Sequence, residues 1–297
     1  MRDESIQIPD QWKNLEVESW KESIMLFGAV DVGKSTFGRY LVQRLLASHQ
    51  SVAYLDADLG QQAVGPPATI GLALSKAGDG EEAESFPPGG RQLLRFVGSN
   101  TPRGHFLPLL LGMHKLQEAA VDEGAEVIVI NTSGFINPMQ GAAVLKWAKV
   151  ELLKPALVVA FQRAREMEPV LAPLRRLMGS NLLHLLPAPE AAARSAEERR
   201  NYRAAAYKAY FQNTDLVGLS YKHLAVFPNR SFHTGQIIGL DDAAAHTIAL
   251  GIIEKIDVDD QALWIRTPWW GDKKVASLRL GSIKLDPESY LDEPLSD

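Results

Sequence analysis

Apolar residues fall along this chain in two periods. Short, nearly continuous apolar runs at Ser23 to Phe27, Ser51 to Asp56, Leu93 to Val97, Glu126 to Ile130 and Ala156 to Phe161 have the composition of strands buried on both faces. Between them lie stretches with apolar residues at helical spacing, the first being Phe37 to Ala47. Strands alternating with helices predict an α/β fold whose mainly parallel sheet is joined by right-handed crossovers. Ahead of the first strand, residues 1 to 22 are polar but carry Trp12 and Trp20, and Pro9-Asp10 suits a helix start. A short helix packing beneath the sheet is expected there. Residues 76 to 91, rich in Gly, Pro and Glu, predict an exposed excursion.

From about Pro187 the pattern changes. Ala188 to Phe211 is rich in Ala, Arg and Glu, and Arg199, Arg203, Tyr207 and Phe211, spaced by four, share one helical face. Beyond residue 215 come short apolar alternations at Leu224 to Phe227, Gln236 to Leu240, Thr247 to Ile256, Leu263 to Thr267 and Val275 to Leu285. They predict a small strand-rich region, either an appendage or an extension of the main sheet, with a frayed end from Pro294. The expected division is therefore residues 1–214 as the main domain, including a helical segment near 188–211, and 215–297 as the strand-rich region.

Composition narrows the class. A chain of 297 residues with 46% hydrophobic content and a mean hydropathy of −0.10 can bury a substantial core. Without cysteine there are no disulfides and no thiolate metal sites, which makes the cytoplasm the expected compartment. The first residues lack an apolar signal core, and runs such as Phe106 to Met113 are too short to span a bilayer, so no membrane role is expected. The seven histidines show no ligand spacing, which disfavours a metal hydrolase. A net charge of −5 argues against coating nucleic acid broadly, so any such contact needs a local basic patch.

Between the first strand and its helix stands Gly28-Ala29-Val30-Asp31-Val32-Gly33-Lys34-Ser35-Thr36, which satisfies G-x-x-x-x-G-K-[ST] in its required strand–loop–helix context. The glycines let backbone N–H groups turn inward, and the following helix adds its positive N-terminal end. Lys34 can reach the terminal phosphates and the Ser35 hydroxyl can ligate Mg²⁺, so the cofactors expected are ATP and Mg²⁺. The fold class is thus an α/β phosphate-loop NTPase with a mainly parallel sheet, a helical lid segment and a small strand-rich C-terminal region.

Four other stretches decide what such a loop serves. Asp56 and Asp58 close the second strand at the carboxyl edge of the sheet, where ligands bind in open α/β folds. A carboxylate there can hold the water shell of Mg²⁺, the part expected of Asp56, or take a proton from an attacking hydroxyl. Gln61, following Gly60, can orient a nucleophile or a phosphate. Asn131-Thr132-Ser133-Gly134-Phe135-Ile136 ends another strand on the same edge, with Phe135 either a stacking platform for a base or a core residue. Gly98-Ser99-Asn100-Thr101-Pro102-Arg103-Gly104 is a further loop after a strand, where Arg103 can contact a phosphate. The segment with Arg194, Arg199, Arg200, Arg203 and Lys208 is either a lid that neutralises a transferring phosphoryl or a solvated amphipathic helix with Glu197 and Glu198 as partners.

In this order, the phosphate loop, Asp58-Leu59-Gly60-Gln61, Thr101-Pro102, Asn131 to Ile136 and Arg199-Arg200-Asn201-Tyr202-Arg203 to Tyr210-Phe211 resemble the polynucleotide 5′-hydroxyl kinases related to the eukaryotic mRNA cleavage-factor and pre-rRNA-processing kinases. The resemblance continues through Gly235 to Asp242 and Leu250 to Ile253, and so covers roughly residues 9 to 268. It implies transfer of the γ-phosphoryl of ATP to the 5′-hydroxyl of RNA or DNA, single strands being the expected form. It assigns Lys34 to the phosphates, Ser35 to Mg²⁺ and Asp58 to the general base, with Gln61 organising the site. Thr101, Pro102 and Arg103 match the family's substrate clasp, with Asn131, Thr132, Phe135 and Arg200 as further substrate contacts, and Arg199 and Arg203 lead the lid. Two departures stand out: Phe135 replaces the family's tryptophan, and the clasp reads Ser-Asn-Thr-Pro-Arg. The lack of large extensions resembles a stand-alone prokaryotic member. The rival readings are a phosphate-loop kinase of nucleosides or metabolites and a noncatalytic ATP-binding module; a GTPase is disfavoured because no Asn-Lys-x-Asp segment occurs.

Overall fold

The computed structural model describes residues 8–76, 86, 90–188, 193–228, 231–269 and 271–295. In chain order the elements are α1 (Asp10–Lys13), β1 (Glu22–Gly28), α2 (Lys34–Leu46), β2 (Ser51–Ala57), β3 (Thr69–Lys76), β4 (Gln92–Phe96), α3 (Phe106–Asp122), β5 (Val127–Thr132), α4 (Ala142–Leu153) and β6 (Leu157–Phe161). Then come α5 (Glu168–Met178), β7 (Leu182–Leu185), α6 (Ala196–Tyr210), β8 (Asp215–Ser220), β9 (Ala225–Phe227), β10 (Gln236–Asp241), β11 (Thr247–Asp257), β12 (Ala262–Thr267), β13 (Ser277–Leu285) and β14 (Asp292–Pro294). They form two compact units. The first comprises Met1–Asp56, Leu72–Arg91 and Gln117–Arg194; the second comprises Ala57–Gly71, Gln92–Leu116 and Ser195–Asp297. The chain is thus partitioned in alternating segments rather than at one cut near residue 215.

In the first unit the strands run in the order β3-β2-β5-β1-β6-β7. β1 pairs in parallel with β5 and β6, and β6 with β7. β1 is central because six of its seven residues are buried, which an apolar run tolerates and an alternating one does not. α1 is a single turn, yet it delivers Trp12, which is fully buried against Phe37 of α2 and Phe161 of β6 at ring-centroid distances of 5.1 and 6.1 Å. The expected N-terminal helix therefore shrinks to one turn around that tryptophan. Of the expected excursion, residues 77–85 and 87–89 lie outside the described residues; Phe86 packs edge-on to Tyr54, with the Arg39 guanidinium over its ring.

The second unit carries a separate sheet, in the order β14-β13-β10-β11-β12-β8, antiparallel throughout, with β9 added in parallel to β13. β9 to β13 match the predicted apolar alternations, and they form a sheet of their own rather than an extension of the main sheet. Two clusters make its core. Phe96, Tyr207 and Phe211 pack with Ile237, Leu250 and Ile283, while Ile238, Leu240, Leu263 and Leu278 form the other. The C-terminal segment is not frayed from Pro294: Pro294 pairs with Ile283, and the Leu295 N–H donates to the Ser282 carbonyl over 2.9 Å. The helix expected from Ala188 begins instead at Ala196, because Ser195 and Glu198 form a reciprocal capping box that starts it there. Residues 189–192 lie outside the described residues.

β3, β7, β8 and β14 were not among the predicted runs. β3 contains Gly71, where a Cβ would come within 2.2 Å of the Val64 carbonyl oxygen, so the strand needs a residue that strand patterns penalise. β7 and β14 are only four and three residues long. Among the described residues, no helix is long and apolar enough to cross a membrane.

Candidate active site

The first unit assembles the phosphate loop. β1 ends on Gly28, where a Cβ would stand 2.8 Å from Val32 Cγ2 and 3.1 Å from the Phe161 carbonyl oxygen, so a side chain there would force the loop off the sheet. Gly33 has φ +87°, a conformation glycine enters freely, and α2 starts immediately after it with Lys34. The Lys34 side chain is buried, and its Nζ donates to the Ala29 carbonyl over 2.6 Å, arching the ammonium across the loop from Gly28 to Gly33. The Asp31 carboxylate accepts from the Arg194 N–H at 2.9 Å, which pins the loop's exposed bend. Val30 and Ala29 are the loop's more open residues, and Val32 is buried beneath them.

Parallel pairing of β1 with β5 sets Leu26 against Asn131, which brings the end of β5 to the phosphate loop. Asn131 is fully buried, and its Nδ2 donates to Ser35 Oγ at 3.2 Å and to Asp56 Oδ1 at 3.0 Å. Its Oδ1 is buried without a hydrogen-bond partner. A hydroxyl, a buried carboxylate and an unsatisfied amide oxygen are hard oxygen donors of the kind Mg²⁺ takes, so these residues fit the ion. Asn131, expected against the substrate, thus belongs with Ser35 and Asp56. Thr132 differs from expectation too: its side chain is fully buried and its hydroxyl donates to the Leu26 carbonyl at 2.7 Å, which makes it a strut between strands rather than a substrate contact. Phe135 is half-buried beyond it.

Gly134 is the residue this stretch needed and the sequence did not single out. A Cβ on it would lie 2.3 Å from the Val30 backbone nitrogen, so only glycine lets this strand end lie against the phosphate loop. Its φ lies outside the left-handed region, so alanine fits the backbone and fails only by collision. Behind it, the buried Lys146 Nζ donates to the Ser133 carbonyl at 3.2 Å and sits 4.7 Å from the Phe27 ring centroid, which compensates a buried cation. Gly134→Ala is expected to displace Val30 and lower kcat/KM for ATP roughly tenfold, within the ~10²-fold that a misplacement of about 1 Å can cause. The fold should survive, as circular dichroism would show; an unchanged kcat/KM would mean the loop does not depend on this contact.

The second unit brings together three stretches that are far apart in sequence. Asp58 is partly exposed, and its Oδ1 accepts from the Gly60 N–H at 3.2 Å, closing a tight turn after β2. A Cβ on Gly60 would lie 3.3 Å from the Asn100 carbonyl oxygen, so this turn rests on the loop that follows β4. In that loop the Thr101 N–H donates to Ser99 Oγ at 3.2 Å, Pro102 is buried, and Thr101 and Arg103 are exposed. From α6, the Tyr207 hydroxyl donates to Asn100 Oδ1 at 2.9 Å. Burial, with a smaller contribution from the Asp292 carboxylate, pushes the Tyr207 phenol well above its ordinary range, so it stays a neutral donor. Gln61 is partly exposed, and the next residue, Gln62, offers its carbonyl to the Tyr202 hydroxyl at 3.5 Å. Asn100 and Tyr207 were missed as site residues, although the four-residue spacing had placed Tyr207 on the same helical face as Arg203.

The arginines of α6 divide. Arg203 makes a two-pronged ion pair, Nε and Nη2 donating to the two carboxylate oxygens of Asp292 at 3.0 and 3.2 Å, and Arg200 Nη2 donates to the Asp292 carbonyl at 3.3 Å. Both tie the helix to β14, so for Arg203 to meet a phosphate it must first leave Asp292. Arg199 lies one turn nearer the N-terminus of α6 and is partly exposed.

A family model described as mRNA cleavage and polyadenylation factor CLP1 P-loop matches residues 28–213. The polyribonucleotide 5′-hydroxyl-kinase of Methanocaldococcus jannaschii is 26% identical, the match covering 89% of this chain and 87% of that one. The proteins of the same name from Pyrococcus furiosus and Pyrococcus abyssi are 33% and 32% identical over 72% and 75% of this chain, but over only 57% and 60% of their own lengths. Among solved structures, Clp1p in a wild-type complex with Pcf11p aligns with a TM-score of 0.66 at 13% identity, covering 90% of this chain and 75% of that one. A second, describing an extended interface between Pcf11p and Clp1p, aligns at 0.69 and 12% identity, covering 93% and 78%. At such identities the two structures establish likeness of fold.

Proposed function

The chain belongs to the mRNA cleavage and polyadenylation factor CLP1 P-loop family, and on that premise we propose that it is a polynucleotide 5′-hydroxyl kinase, transferring the γ-phosphoryl of ATP to the 5′-hydroxyl of single-stranded RNA. The observation that carries this reading is Asn100, which in one unit joins the Asp58 turn through its carbonyl and the lid helix through its amide oxygen. A base, a substrate loop and a lid held by one residue suit an acceptor that must be positioned rather than chemically altered. The names of the archaeal relatives favour RNA.

In this mechanism Lys34 and the backbone of Gly28 to Thr36 hold the triphosphate. Ser35, Asp56 and Asn131 would hold Mg²⁺, which would neutralise phosphate charge. Asp58 takes the proton from the 5′-hydroxyl as its oxygen attacks the γ-phosphorus, and the bond to the β-phosphate oxygen breaks to release ADP. Gln61, Thr101 and Arg103 steady the acceptor, Phe135 offers a stacking face, and Arg199 supplies positive charge from the lid. The cysteine-free composition favours a cytoplasmic setting.

The test is transfer of labelled γ-phosphate, with Mg²⁺, to 5′-hydroxyl oligoribonucleotides and oligodeoxyribonucleotides, with a nucleoside and a 5′-phosphorylated oligomer as controls. Labelling of the 5′-hydroxyl oligoribonucleotide above all others is the expected result. Equal labelling of the nucleoside would replace the reading with a small-molecule kinase. ATP binding with no labelling would replace it with a noncatalytic module.

A further inference from the structure

A cavity of about 500 Å³ lies wholly in the second unit, between the start of α3, the residues Pro228, Ser231 and His233, and the face of β13. Its size is that of a small-molecule site, and no role assigned above uses it. Phe96 forms the floor, and the walls include three large apolar side chains left in water: Leu107 at 68% exposure, Leu111 at 52% and Phe227 at 51%. The Arg279 guanidinium stands 5.9 Å from the Phe227 ring centroid. Arg279 shares the buried carboxylate of Asp241 with Arg95. Among the described residues no Asp or Glu lines the cavity, although the chain as a whole carries a net charge of −5. An apolar slot with an aromatic wall, a guanidinium at that wall and no described acid in its lining suits a flat ring carried on a polyanion.

The cavity opens where the substrate loop ends. His105 lines it, its backbone N–H donates to the Pro102 carbonyl at 2.8 Å, and its ring Nδ1 lies 3.0 Å from the Arg103 carbonyl. We propose that this cavity receives a base of the substrate strand on the 3′ side of the phosphorylated end, stacked on Phe227. The proposal rests on the polynucleotide-kinase reading and adds a subsite to it. It would make the enzyme favour strands long enough to reach the cavity, independently of their sequence, because every base has a stacking face.

The test is a length series of 5′-hydroxyl oligoribonucleotides, from dinucleotide to octanucleotide, with an abasic position moved along the longest. In the wild type, KM should fall with length and then level, and one abasic position should undo the gain. Phe227→Ala should raise KM for the long oligomers roughly tenfold, the order expected for one lost stacking contact. KM for the dinucleotide and for ATP should stay unchanged. Leu111→Glu, at an exposed wall position, should act in the same direction by repelling the strand. Length dependence that persists in both variants, or a cavity that takes an apolar peptide and leaves oligonucleotides unaffected, would overturn the proposal. Failure of the underlying reading looks different, since then no oligomer is labelled at any length; quenching of 2-aminopurine at the critical position, present in the wild type and lost in Phe227→Ala, still reports the subsite without turnover.

Discussion

Asp58→Asn is expected to lower the single-turnover rate of phosphoryl transfer by about 10²–10⁴-fold, the range a positioned general base contributes, with ATP affinity unchanged. Asparagine is the informative replacement because of what the aspartate does locally. Asp58 Oδ1 accepts the Gly60 N–H, and that turn rests on the Asn100 carbonyl. An amide oxygen can keep the same bond, so the turn and the substrate loop stay in place while the proton acceptor is lost. Alanine would remove both and leave the cause ambiguous. The comparison needs single-turnover rates beside ATP titration by calorimetry; a rate near that of the wild type would move the base to another group.

What was legible in the sequence shares one property: the information is local. Gly28 to Thr36 specifies a strand end, a loop and a helix start within nine residues, and the structure builds them with Gly33 at φ +87° and α2 opening on Lys34. Asp56 and Asn131 were legible as polar residues ending buried apolar strands. Their meeting was not, because it depends on β1 pairing with β5 in the register that sets Leu26 beside Asn131. The same limit explains Gly134 and Thr132. One is required by contact with Val30 and the other is tied to Leu26, and neither partner is near in sequence. On α6 the four-residue spacing correctly grouped Arg203, Tyr207 and Phe211, but a helical period does not say what the face meets. Arg203 faces Asp292, far along the chain and just ahead of the end expected to fray. The interleaved partition was hidden for a related reason, since Phe96 reads as one more sheet strand residue yet packs with Ile237 and Leu250.

Asp241→Asn is expected to destabilise the second unit by about 3–5 kcal/mol, the cost of breaking a buried ion pair from one side. Asp241 is fully buried and accepts from Arg95, from Arg279 and from the Thr247 hydroxyl, the last at 2.6 Å. Burial, with a smaller contribution from the Arg279 charge, pulls the Arg95 pKa down, and the Asp241 carboxylate is the largest opposing influence. An amide there would leave two guanidinium groups facing each other without an anion. Thr247 extends the network, since its hydroxyl also accepts the Phe96 N–H at 2.8 Å, so the same cluster secures the end of β4. β4 runs directly into the loop that carries Asn100 and Thr101. Loss of Asp241 should therefore raise KM for oligonucleotides as well as lower the urea midpoint. Combining Asp241→Asn with Arg95→Met removes one stranded cation and should recover part of the stability, a coupling that urea denaturation of the four variants of the cycle measures directly. A loss below about 1 kcal/mol, the scale of an exposed pair, would show that water or rearranged partners satisfy the arginines and that β4 is held by apolar packing of Phe96 alone.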